Sequence, residues 1–84
     1  MKKAVALKYE RGLPAPFILA KGKGELAERI LEIARKNDVP VVDRPELTEA
    51  LYMVDVSAFL PEEFFKTVAE LLIFVQNIAG GRRR

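Results

Sequence analysis

Neither a cysteine nor a histidine occurs among the 84 residues, and that pair of absences constrains the fold before any pattern is read. A chain this short buries only about 60–65 % of its unfolded surface. Without thiols it can add neither a disulfide nor a thiolate metal site, so its apolar residues, half of the sequence, have to hold it by burial alone. The missing imidazole removes the commonest metal ligand and the commonest general base. Thr48, Ser57 and Thr67 then have no base to activate them, and no cofactor, metal or enzymatic activity is expected.

With 31 % of residues charged, the composition is that of an ordinary globular chain. The longest apolar run, Leu71-Leu72-Ile73-Phe74-Val75, falls far short of the roughly 18 residues that span a bilayer, and nothing resembles a signal peptide. The expectation is one cytoplasmic domain over residues 1–79, followed by a Gly-Arg tail over 80–84. The formal charge of +2 rests on that tail: without Arg82, Arg83 and Arg84, eleven basic residues face twelve acidic ones. A nucleic-acid-binding reading therefore depends on the tail plus a cluster of Lys2, Lys3, Lys8, Arg11, Lys21 and Lys23, and is held as the alternative. Glu25 with Arg29 and Glu32 with Lys36 are spaced for i,i+4 support, which together with the scarcity of thermolabile residues suggests a thermophilic source.

Residues 4–9 alternate, with Val5, Leu7 and Tyr9 on one face and Ala4, Ala6 and Lys8 on the other, as in a half-buried strand. Gly12, Pro14 and Pro16 make a stiff connection to a second strand over 17–21, paired antiparallel to the first. Gly22-Lys23-Gly24 ends it, with Gly24 as N-cap of a helix over 25–37 whose apolar face is Leu26, Ile30, Ile33 and Ala34, widened by Ala27 and Leu31. Residues 39–43 predict a third strand, parallel to the second across a right-handed crossover. A short helix follows from Pro45 to about Val54. Pro61 at N1 starts a third, reaching about Ile78 and stopped by Gly80-Gly81. The expected architecture is α+β: a mixed sheet of about three strands surrounded by about three helices. In the third helix Phe64, Val68, Leu71, Val75 and Ile78 form the core stripe, while Ala69, Ile73 and Phe74 fall off it, more apolar surface than one packing face requires.

Four segments in order, AVALKY at 4–9, the Ala-Pro element with its AKG at 15–22, VP-V-V-D with ALY at 39–52, and LPEEFFKTVAELL at 60–72, resemble one family. The chain is similar to the C-terminal cytoplasmic domain of the FlhB/YscU/SpaS proteins of flagellar and virulence type III secretion. That resemblance implies a small mixed sheet with surrounding helices and a role in switching the export apparatus between substrate classes. The family hallmark is an autocleaving Asn-Pro-Thr-His tetrapeptide just ahead of the AVALKY strand, a place held here by Met1, Lys2 and Lys3, so no catalytic residue carries over. The resemblance implies a free-standing FlhB-like protein, expected to substitute for the cytoplasmic domain of an FlhB-type membrane component. It also implies a partner-binding surface at Ala15, Pro16, Ala69 and Leu72, which Phe65 and Ile73 would enlarge. Its expected partners are export substrates of the rod and hook type or export-gate components, with the monomer as the favoured state. If a strand belongs beside AVALKY on its other side, that edge is expected to be blunted by Lys2, Lys3 and Lys8 or filled by β-augmentation.

Overall fold

The computed structural model describes residues 2–82, with side chains through Val75. Two strands, β1 (Lys3–Lys8) and β2 (Phe17–Lys23), form an antiparallel sheet. Three helices accompany it: α1 (Glu25–Lys36), α2 (Pro45–Tyr52) and α3 (Phe65–Arg82), the last preceded by a 3-10 turn at Glu62–Phe64.

Register decides the layering. Ala4 faces Gly22 and Ala6 faces Ala20, whereas Val5 faces Lys21 and Leu7 faces Ile18. Ile18 and Lys21 are three residues apart and in a regular strand would point to opposite faces. A bulge resolves this: Leu19 has no partner on β1, and the extra residue returns Ile18 and Lys21 to the same side. One face is therefore large and apolar. Its core of Ile18, Leu51, Leu60 and Val68, with Val5, Leu7, Leu47, Val54, Phe64 and Leu72 around it, joins the sheet to α2 and α3.

On the opposite face Ala4, Ala6, Ala20 and Gly22 form a patch of small residues, which lets α1 approach closely. A Cβ on Gly22 would lie 2.8 Å from Leu26 Cδ2 and 2.9 Å from Leu26 Cβ. The contact also changes which side of α1 is buried: Ala27 is fully buried, while Leu26 and Ile33, expected in the core, are half exposed. Gly24 does cap α1, at φ 62 and ψ −129, a conformation open to glycine but strained for other residues. At the other end Asp38 N–H donates to Arg35 O and Val39 N–H to Ala34 O, the paired bonds of a Schellman motif with Asp38 at φ 57.

Three expectations need correction. Residues 39–43 form no strand: among the described residues the sheet has two strands, and Val39, Val41 and Val42 are exposed. A β-prone run becomes a strand only beside a partner, and no ladder reaches this one. Gly80-Gly81 does not stop α3, which continues to Arg82; mid-helix glycine costs about 1 kcal/mol against alanine, a penalty rather than a bar. The i,i+4 pairs Glu25–Arg29 and Glu32–Lys36 do not close into ion pairs; among the described residues the ion pairs are Lys2–Glu28 and Lys3–Glu49, both at 2.9 Å. Ile78, expected on the core stripe, lies outside the residues whose side chains are described.

Candidate functional site

Pro14 and Pro16 fix φ on either side of Ala15, so the connection between the strands leaves β1 stiffly and turns across the start of α3. Residues 57–60 hold it there. Leu60 N–H donates to Pro16 O at 2.9 Å, Ile18 N–H to Ala58 O at 3.1 Å, and Ser57 N–H to Ile18 O at 2.7 Å. Phe59 meets Phe17 edge-to-face, centroids 6.4 Å apart. Leu60 is buried in the core, and Pro61 and the 3-10 turn carry the chain directly from it into α3. Connection and helix are thereby set side by side by backbone bonds and the core beneath.

Between them runs an apolar groove of about 370 Å³, lined by Tyr9, Pro14, Ala15, Pro16, Phe65, Ala69, Leu72 and Ile73. All six residues expected at a partner surface line it. Ala15, only 4 % exposed, is its floor; Ile73, Phe65 and Tyr9 are exposed on its rim. Spacing explains the helical wall: Phe65, Ala69, Leu72 and Ile73 recur at three- and four-residue intervals on one side of α3, while buried Val68 points to the core. Small Ala69 between larger neighbours makes the depression. Tyr9 and Pro14 were not expected there. Alternation groups Tyr9 with Val5 and Leu7, but β1 ends at Lys8, and the proline-rich connection that follows in sequence is the clue to its place in the groove.

Among the described residues the Tyr9 phenol is the one ionisable group that lines the groove, so what these residues offer is burial of apolar side chains. A broader depression on the outer side of α1 is lined by Glu25, Glu28, Glu32, Arg29 and Arg35 beside Leu26; it is a solvated charged face. Among the described residues no group of His, Cys, Asp or Glu is placed to hold a metal ion. The basic cluster of the alternative reading is partly used inside the fold: Lys2 and Lys3 are in ion pairs, and Lys21 donates to main-chain carbonyls of Tyr52 and Val54. Arg83 and Arg84 lie outside the described residues.

The model of the FlhB HrpN YscU SpaS family matches residues 1–75. The chain belongs to that family. It is 47 % identical over 74 residues to the flagellar biosynthetic protein FlhB of Bacillus subtilis, covering 86 % of this chain and 21 % of that protein. The chain thus spans about a fifth of the length of the FlhB proteins it matches. A second Bacillus subtilis relative, the uncharacterized protein YlqH, is 37 % identical over 79 residues, with 93 % of this chain and 85 % of YlqH covered. Among solved structures, the cytoplasmic domain of FlhB from Shewanella putrefaciens superposes with a TM-score of 0.91 at 33 % identity, covering 96 % of this chain and 68 % of that one. The PscU C-terminal domain does so with 0.81 at 31 % identity, covering 87 % and 95 %. The α+β fold is that of these FlhB-type C-terminal domains, and no described helix is long and apolar enough to cross a membrane.

Proposed function

We propose that this chain is a non-catalytic, cytoplasmic FlhB-like module of the flagellar or type III export apparatus, and that its groove holds a short apolar segment of an export substrate or apparatus component. One observation carries the reading: Ala15, Pro16, Phe65, Ala69, Leu72 and Ile73, drawn from two distant parts of the sequence, line a single groove in a chain of this family. A preformed groove needs little ordering on binding, and its affinity comes from apolar area removed from water. YlqH, matched over 85 % of its length, is a relative of similar size, and we infer further that such a module acts in place of an FlhB cytoplasmic domain in substrate-specificity switching. The six-residue surface and the family favour this over nucleic-acid binding.

The test is titration of purified rod or hook subunits against the wild type and Ala69→Asp. Binding should fall at least about tenfold, the loss expected when a charge must be buried in an apolar contact, with circular dichroism unchanged. Undiminished binding by a folded Ala69→Asp protein would falsify the groove as the contact. Restoration of switching in a strain lacking its FlhB cytoplasmic domain tests the substitution.

A further inference from the structure

Burial of apolar area has no direction. Side chains that fill an apolar groove gain much the same in either order along it, and much the same one position further on. Sites that hold a ligand in one orientation do so with a few placed polar groups. Among the residues that line the groove between the proline-rich connection and α3, Tyr9 has the one polar side chain. The backbone of the two walls adds little beside it. Pro14 and Pro16 have no N–H, and Pro16 O already accepts from Leu60 N–H. Phe65 N–H donates to Glu62 O, and Ala69, Leu72 and Ile73 lie inside α3, where peptide groups bond to one another.

Tyr9 is also free to make a contact. It follows directly after β1 and is 52 % exposed, and among the described residues its hydroxyl makes no hydrogen bond. The other tyrosine is engaged within the fold: the Tyr52 ring centroid is 5.5 Å from the Lys3 ammonium and 5.1 Å from that of Lys21. A phenol in water has its hydrogen bonds satisfied. A partner that covers the Tyr9 hydroxyl must therefore offer it an acceptor, or lose affinity to a buried donor left unpaired.

We propose, on the reading that the groove holds a short apolar segment, that Tyr9 sets the register of that segment by donating its O–H to one of the segment's main-chain carbonyls. Such a carbonyl has to be free. Inside a helix the carbonyls accept from N–H groups four residues on, so the contact selects a segment that is extended where it passes Tyr9, with its apolar side chains directed between the connection and α3. A helix laid in the groove would instead set its side chains against the hydroxyl and leave the donor unpaired. The apolar lining supplies area, and Tyr9 supplies direction.

The test uses the full chain, its Tyr9→Phe and Ala69→Asp variants, and short overlapping peptides that tile the rod and hook subunits. The peptide that binds wild type best is remade with one peptide bond at a time replaced by a trans-alkene, which keeps the geometry and removes the carbonyl. One replacement should weaken binding to wild type about three- to tenfold beyond its neighbours, the worth of a neutral hydrogen bond. Against Tyr9→Phe the same replacement should cost no more than its neighbours, the coupling that a double-mutant cycle isolates. Tyr9→Phe should bind the unmodified peptide about three- to tenfold more weakly than wild type does, and melt with it. The proposal is overturned if Tyr9→Phe binds as tightly as wild type, if no position is coupled to Tyr9, or if weaker binding comes with a lowered melting temperature. Loss of binding in Ala69→Asp with full binding in Tyr9→Phe overturns the Tyr9 contact and leaves the groove as the site. Full binding in both variants, or no peptide that binds wild type, overturns the groove reading as well.

Discussion

Lys21 closes the C-terminal end of the helix that carries Tyr52: its ammonium donates to Tyr52 O at 2.8 Å and to Val54 O at 2.9 Å, and lies 5.1 Å from the centroid of the Tyr52 ring. The last carbonyls of a helix lack intrahelical partners and carry the negative end of its dipole, and α2 has no basic residue in its own last turn. A strand lysine supplies the missing cation, which the bulge at Leu19 aims at this side of the sheet. Lys21→Met keeps the aliphatic stem but removes two charge-assisted bonds. It should cost about 1.5–3 kcal/mol, read as a lowered urea midpoint at unchanged slope. An unshifted midpoint would remove Lys21 from the account of how α2 is held.

Gly22 matters for the space above it. A methyl group there would press on Leu26, and since Leu26 Cβ is itself within 2.9 Å, rotation of the leucine side chain cannot relieve the contact. α1 must shift off the sheet. Gly22→Ala should destabilise by about 1–3 kcal/mol, the usual range for overpacking, whereas Gly12→Ala meets no neighbouring atom and is strained only by its φ of 96. Equal stability of Gly22→Ala and wild type in chemical denaturation would contradict the close approach of α1.

Asp38 offers the opposite sign. It occupies the left-handed position that follows the cap of α1, where a β-carbon is a burden and glycine is the common residue. Asp38→Gly should therefore raise stability, by up to about 1 kcal/mol, with both Schellman bonds retained; a fall in melting temperature would count against it.

Much of the scaffold was legible from periodicity and punctuation. β1, the proline-rich connection, Gly24 as a cap, Pro45 at the start of α2 and the off-core position of Ala69 and Ile73 each follow from a local rule. What was not legible depended on a neighbour. Residues 39–43 have the composition of a strand, but pairing requires an adjacent free edge in the right place, which composition does not contain. The sheet face that α1 meets is made of alanine and glycine, so Ala27 is fully buried against it while Leu26, although it lies over Gly22, stays half exposed. The groove came from family resemblance joined to helical spacing; its depth, and the roles of Tyr9 and Pro14, depend on how residues 57–60 bring two segments together.

Ala15 and Ala69 face the same groove but should respond differently to charge. Ala69 is exposed on the wall, so an aspartate there stays hydrated and affects only a bound partner. Ala15 is 4 % exposed, between two prolines and over the core. A carboxylate at that point loses water without gaining a partner, a cost of several kcal/mol, against a total stability of roughly 4–13 kcal/mol for a domain of this length. Ala15→Asp should thus lower the melting temperature sharply, whereas Ala69→Asp melts close to wild type. Ala15→Asp melting with the wild type would show that the floor of the groove is open to water.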